Sequence, residues 1–194
     1  MSELAEKQWY IATTYSGHET KVADNIKRRI ESMNLQEYVF RVVVAEEEIL
    51  VMNKDGSQAY IEVDGIKKPK TKIKNLYPGY VFVEMIMTDE SWFMVRNTPG
   101  VTGIAGSSGG GQKPTPVSPK EMEIVLKRMG EVDSSMYDDY KPGEIVKIIH
   151  GTFANVEGKI LSIDQETGTV RVETVFFGRT TPVDVDFSEI VHLS

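Results

Sequence analysis

The residue types that do chemistry are scattered along this chain rather than gathered. His18, His150 and His192 lie far apart, without the short spacing that places metal ligands on one element, and read as surface or packing residues. The chain has no cysteine, which excludes disulfides, thiolate zinc sites and cysteine nucleophiles. No serine sits in a G-x-S-x-G turn. The segment Gly106 to Lys113 (GSSGGGQK) is superficially a phosphate loop. Pro114 follows Lys113 where Ser or Thr would be required, and no strong strand-to-helix junction presents the segment, so it reads as a surface loop. The run Glu46-Glu47-Glu48 reads as a solvated face. No catalytic residue, metal site or cofactor is expected.

Two other kinds of residue suit binding. Lys67, Lys68, Lys70, Lys72 and Lys74 put five lysines into eight positions. They form either a solvated hairpin edge, where lysine discourages edge-to-edge pairing, or a patch that touches phosphates. The aromatics are more specific. In Tyr77-Pro78-Gly79-Tyr80-Val81-Phe82-Val83, Tyr80 and Phe82 share one face of a strand, and composition alone makes them core. In Phe176-Phe177-Gly178-Arg179, adjacent rings on a strand point to opposite sides. A small barrel has one interior, so one of the two rings should be outside and could anchor a protein partner. Phe153, in the turn Gly151-Thr152-Phe153-Ala154, belongs to the same region.

Charge separates these regions. The chain carries 29 acidic and 22 basic residues, a net charge of −7. Residues 1–130 are balanced, residues 131–140 carry only acids, and residues 141–194 are net acidic. Nucleic-acid affinity of the non-specific kind needs an excess of Lys and Arg, so the C-terminal part is better suited to a protein. Hydrophobic residues make up 40% of the chain, enough for packed cores. No segment approaches the roughly 18 apolar residues of a membrane span, and Met1 to Lys7 is polar, unlike a secretory signal. A soluble cytoplasmic protein is expected.

The elements that must hold these residues follow from periodicity. Trp9 to Thr14 reads as a strand. Ser16 with Glu19 forms a capping box, and Val22, Ile26, Ile30 and Met33 give the following helix one apolar face, with Asn34 ending it. Strands are expected over Val39–Val44, Gly79–Met87 and Val101–Ala105, and a short helix over Glu90–Arg96 capped by Thr88 or Asp89. A third helix has Ser118 as cap, Pro119 in its first turn, Met122, Val125, Leu126 and Met129 as apolar face, and Gly130 as terminator. This order argues for an α/β sandwich over residues 1–130. The acidic, aperiodic stretch 131–142 reads as a flexible linker. Five short strands follow in residues 143–194, which suggests a small closed barrel. The fold class is α+β.

The blocks Trp9-Tyr10, Ser16-Gly17 with Glu19, Tyr77-Pro78-Gly79-Tyr80-Val81, Ser91-Trp92 with Val95-Arg96, Gly151-Thr152-Phe153-Ala154 with Gly158, and Phe177-Gly178-Arg179-Thr180-Thr181-Pro182-Val183 with Asp186-Phe187 are together highly specific. In this order and spacing the chain resembles the bacterial NusG family over essentially its full length. Between Glu46 and Leu76 it departs from that pattern, and no role is carried over there. Tyr77 stands where relatives often have Phe.

The resemblance implies an NGN-type domain with a ferredoxin-like sheet, then a KOW domain of SH3-like barrel form. It implies a monomeric, non-catalytic elongation factor that modulates elongation, pausing, termination and antitermination. Tyr77, Tyr80 and Phe82 would build a pocket for the clamp helices of the largest RNA polymerase subunit. Ser91, Trp92 and Phe93 would face the gate loop of the second-largest subunit, and Asn97-Thr98 would contact the non-template DNA strand. Phe153, Phe176, Phe177 and Arg179 would bind the termination factor Rho or a small-subunit ribosomal protein. The competing expectation is an RNA-binding or ribosome-associated KOW protein, against which the acidic charge and the second domain count.

Overall fold

The computed structural model describes residues 6–107, 111–132 and 134–193. The first residues of the polar N-terminus and Ser108–Gly110 of the glycine-rich segment lie outside the described residues. The chain divides into two compact units, residues 1–119 and 120–194.

In unit 1 the elements run β1 (Lys7–Thr13), α1 (Glu19–Ser32), β2 (Val39–Val43), β3 (Glu46–Leu50), β4 (Tyr60–Val63), β5 (Ile66–Pro69), β6 (Thr71–Asn75), β7 (Tyr80–Ile86), α2 (Asp89–Arg96) and β8 (Gly103–Ile104). The main sheet is antiparallel with order β2-β7-β1-β8. The register Tyr10↔Val83 and Ala12↔Val81 puts these four side chains on one face. They pack with Val22, Ile26 and Met94 from the two helices into a single core. The helical period of α1 is what brings Val22, Ile26 and Ile30 to that core.

The opposite sheet face carries Trp9, Ile11, Phe82 and Glu84. The Glu84 carboxylate is buried but not alone: the Arg41 guanidinium and the Lys7 ammonium, at 3.2 Å, both pair with it. Burial of a charge is tolerable only with such partners.

The helix ends follow local rules, with one change. α1 starts at Glu19 with His18 at the N-cap and no side-chain cap, so the expected Ser16 box does not form. Glu19 instead folds back and accepts the Gly17 N–H at 2.8 Å. At the other end Asn34 adopts φ 55°, and Leu35 N–H donates to Ile30 O, which closes a Schellman turn. Thr88 caps α2 through a reciprocal box with Ser91.

Residues 46–75 do not form a loop. β3 pairs with β6 as a stem, and β4 pairs with β5 as a hairpin arm. Asp64 (φ 53°) and Gly65 (φ 76°) make its two-residue turn, the geometry that Asp-Gly favours in hairpins. A second, shorter arm closes through the Met52↔Gln58 bridge. Stem and arms converge where Val51 N–H donates to Lys70 O, Ala59 N–H to Val51 O, and Lys70 N–H to Ala59 O. The Gln58 amide reaches the carbonyls of Ala59 (2.7 Å) and Val51 (3.2 Å) at this junction.

Unit 2 comprises α3 (Pro119–Arg128), a 3-10 turn at Ser134–Asp139, and strands β9 (Ile145–Ile148), β10 (Glu157–Asp164), β11 (Thr169–Phe176), β12 (Arg179–Asp186) and β13 (Ile190–His192). α3 ends in a Schellman turn at Gly130 (φ 76°), with Glu131 N–H donating to Leu126 O. The five strands form one antiparallel sheet, β12-β11-β10-β9-β13. The expected closed barrel is not seen: the outer strands β12 and β13 are joined by a 3-10 turn at Phe187–Glu189 rather than paired. Val183, Val185 and Ile190 from both outer strands nevertheless share one core with Val146, Ile148, Ile160, Val170 and Val172.

Two segments ahead of the five strands pack within unit 2. From Lys120 onward, α3 falls in unit 2. Its Lys127 is fully buried and donates to the Ile190 carbonyl (2.7 Å) and the Tyr140 hydroxyl (2.9 Å). The stretch expected as a flexible linker is also built into unit 2. Tyr137 stacks on Phe187 at 4.0 Å and Tyr140 packs edge-on to it at 5.0 Å. Acidic composition hid the two tyrosines that order this segment.

Candidate functional site

In unit 1 the site residues are presented by the turn entering β7. Tyr80 N–H donates to Tyr77 O, with Pro78 and Gly79 in the central positions. Gly79 has φ 84°, which Pro-Gly supplies without strain, and a Cβ there would come within 3.0 Å of the Thr14 carbonyl. Two side chains lock the turn. Asn75 Oδ1 accepts the Tyr77 N–H at 2.9 Å, and Glu19 Oε1 accepts the Gly79 N–H at 2.7 Å. Burial opposes ionisation of Glu19. The backbone donors of Gly79, Glu19 itself and Gly17, with His18 beside them, outweigh it and hold the carboxyl below its ordinary range.

The three aromatic positions then differ. Phe82 is buried, with the Tyr77 ring edge-on to it at 5.7 Å. Tyr80, two residues from Phe82 on the same strand face, is 38% exposed. Phe82 supports the site, and Tyr80 is the ring a partner can reach.

The Ser91-Trp92-Phe93 segment separates in the same way. Ser91 is buried, and its hydroxyl accepts from Thr88 N–H and donates to Ile86 O, so it is a capping residue. Trp92 packs against the core, with Arg96 5.8 Å over its ring. Phe93 is 61% exposed. Thr98 is also buried, its hydroxyl donating to Met94 O at 2.8 Å. Asn97 is exposed. Its amide donates to Phe93 O, and its carbonyl accepts from Arg29 at 2.9 Å.

In unit 2 the β11–β12 connection is a two-residue turn, since Phe176 pairs with Arg179. Phe177 and Gly178 both have positive φ, 49° and 75°. The Phe177 side chain is fully exposed. A phenylalanine in the left-handed region carries strain of order 1–3 kcal/mol. Phe176 turns inward and meets Phe153 at 5.8 Å, both packed against the core. Of the expected pair of rings, one is inside and one outside; the outer one stands in the turn rather than on the strand. Arg179 is exposed beside it.

Sequence reasoning did not find Glu19 as the clamp of the Gly79 turn, because its partner lies 60 residues away. It also missed the buried Lys127, an amphipathic-helix lysine with no local mark. The Asp64-Gly65 hairpin did carry a local signal. Among the described residues, no group of three or more His, Cys, Asp or Glu could hold a metal ion, and no helix is long and apolar enough to cross a membrane.

Comparison with known proteins places this architecture. The family model described as transcription termination factor nusG matches residues 7–126, and that of the KOW motif matches residues 142–173. Over 187 residues the chain is 49% identical to the transcription termination/antitermination protein NusG of Bacillus subtilis (strain 168), covering 95% of this chain and 98% of the relative. The protein of that name from Staphylococcus aureus (strain N315) is 46% identical over 191 residues, 98% of each chain. A solved structure, "Domain interaction in Thermotoga maritima NusG", is 35% identical over 97% of this chain and 98% of its own, with a TM-score of 0.48. The chain belongs to the NusG family of transcription termination/antitermination factors.

Proposed function

We propose that this chain is a non-catalytic elongation factor that docks on RNA polymerase through unit 1 and recruits a second protein through unit 2. The observation that carries this reading is that each unit presents an exposed ring on a turn whose backbone is fixed by the residues around it. Tyr80 stands on a turn fixed by Glu19 and Asn75, with Phe82 and Tyr77 packed beneath. Phe177 stands on a strained turn backed by Phe176 and Phe153. An exposed ring on a turn whose backbone is already fixed is an efficient binding anchor, because the backbone has little freedom left to lose on binding.

Tyr80 and Phe93 meet the polymerase, on the clamp helices and the gate loop respectively. Tyr77, Phe82, Ser91 and Trp92 hold those two in place. Asn97 reaches the non-template strand, and the buried Thr98 positions it. Phe177 and Arg179 form the contact for Rho or a small-subunit ribosomal protein, and the two compete for one face. Held across the cleft, the factor keeps the clamp closed and thereby alters elongation and pausing.

Retention on immobilised core polymerase tests the reading. The full chain and its Phe177→Ala variant should be retained equally, and Tyr80→Ala should not. A full chain that ignores polymerase but binds bare RNA with a steep salt dependence would replace this reading with that of an RNA-binding protein.

A further inference from the structure

Residues 46–75 belong to neither aromatic site, yet they hold seven of the exposed large apolar side chains found among the described residues. They have almost no core of their own: within the stretch only Glu47 and Ala59 are buried. The register sorts the exposed groups. Val63 opposes Ile66 and Ile61 opposes Lys68, so Ile61, Val63, Ile66 and Lys68 share one face of the β4–β5 arm. Tyr60, Glu62, Lys67 and Pro69 share the other, where the Lys67 ammonium sits 4.5 Å over the Tyr60 ring. Three branched aliphatics side by side on a two-stranded arm are an interface pattern, since such a face left bare invites non-specific association.

We infer that the Ile61–Val63–Ile66 face is a second docking element for RNA polymerase, seated on an apolar surface with an acidic rim. The inference rests on the polymerase-docking reading of unit 1. Continuity is the first argument. β6 ends at Asn75, whose side chain fixes the Tyr77 turn, so the stem leads directly into the strand that carries Tyr80. Charge is the second. Residues 46–75 are balanced at six acids and six lysines, but Lys68 lies on the aliphatic face itself, opposite Ile61, with Lys67 beside it in the strand, so an acidic group at the rim of the partner's apolar surface meets a cation there. Nucleic acid is the poorer fit: three aliphatic side chains find no counterpart on a phosphate backbone, and Glu62 and Asp64 offset two of the lysines at the tip.

The test is titration of full-length protein against purified core polymerase, with thermal melts as a folding control. The double variant Ile61→Ser, Ile66→Ser changes only exposed side chains and should weaken binding about tenfold. Lys67→Glu, Lys68→Glu should weaken it as well. If Tyr80→Ala loses affinity while the Ile61, Ile66 double variant binds like the parent, the arm is no docking element and the reading of Tyr80 stands. If the parent chain does not bind polymerase, both readings fall. Sensitivity to the lysine changes alone would mean that the arm reads charge, as nucleic acid would require, and would overturn the proposal. So would a concentration-dependent dimer that the isoleucine changes abolish.

Discussion

The Glu19 carboxylate accepts the backbone N–H of Gly79 at 2.7 Å with one oxygen and the N–H of Gly17 at 2.8 Å with the other. One buried side chain at the start of α1 therefore holds both the entry to that helix and the turn that presents Tyr80. Glu19→Gln can satisfy only one of these donors and should cost about 1–3 kcal/mol in urea unfolding. The pH dependence has a defined sign. The folded carboxyl titrates below its ordinary value of 4.5, so its stabilisation is complete above that value and disappears as pH falls through the lower folded one. The variant should lack this acid limb; an unchanged limb would show that other carboxylates cause it.

Tyr80 and Phe82 should separate binding from stability. Tyr80→Ala, at a half-exposed position, should weaken polymerase binding by about 2 kcal/mol while barely altering the melt. Phe82→Ala, at 2% exposure, should cost about 3–5 kcal/mol of stability. Unchanged affinity in a folded Tyr80→Ala protein would remove that ring as an anchor.

Phe177 makes the opposite demand. Its ring contributes nothing to the core, and its backbone is strained. Phe177→Gly should therefore raise the unfolding free energy, by about 1 kcal/mol, because glycine accepts positive φ. Phe177→Ala should leave stability unchanged. Both should abolish binding of the partner of unit 2 without affecting polymerase. Destabilisation by either change would mean that the ring packs in solution.

Lys127 should give an alkaline signature. Burial pushes its ammonium down to about 8, although the Glu123 carboxylate at 3.1 Å favours the charged form. Between that value and the ordinary 10.5 the unfolded chain binds more protons than the folded one, so this group makes stability rise with pH. Tyr140 acts oppositely, since burial and Glu123 push its phenol well above its ordinary 10.0, but only in more alkaline solution. Denaturant titrations from pH 7 to 10 should show the rise in the parent chain and a flatter profile in Lys127→Met.

Much of the fold could be read from the residues, for local reasons. α1 announces itself by its period, α2 by its Thr88 cap, α3 by Pro119 and Gly130, and the strands of unit 2 by alternation with Gly-rich turns. What escaped involves distant partners. Glu19 looked like a capping-box residue because Gly79 is invisible at a three-residue spacing. The tyrosines of the acidic stretch looked like linker because Phe187, on which they pack, lies some fifty residues on. At the candidate sites, residue type located the aromatic clusters, but exposure decided which members a partner meets. Ser91 and Thr98 proved to be buried hydroxyls that serve the ends of α2.

The junction of stem and arms at Gln58 has a consequence for motion. Its strands are joined by backbone and amide hydrogen bonds with scarcely any buried apolar surface behind them. Such a segment opens at a small fraction of the free energy needed to unfold the rest. Its amides should exchange with deuterium long before those of β1 and β7, and anything that settles on the arm would be recorded first as a slowing of that exchange.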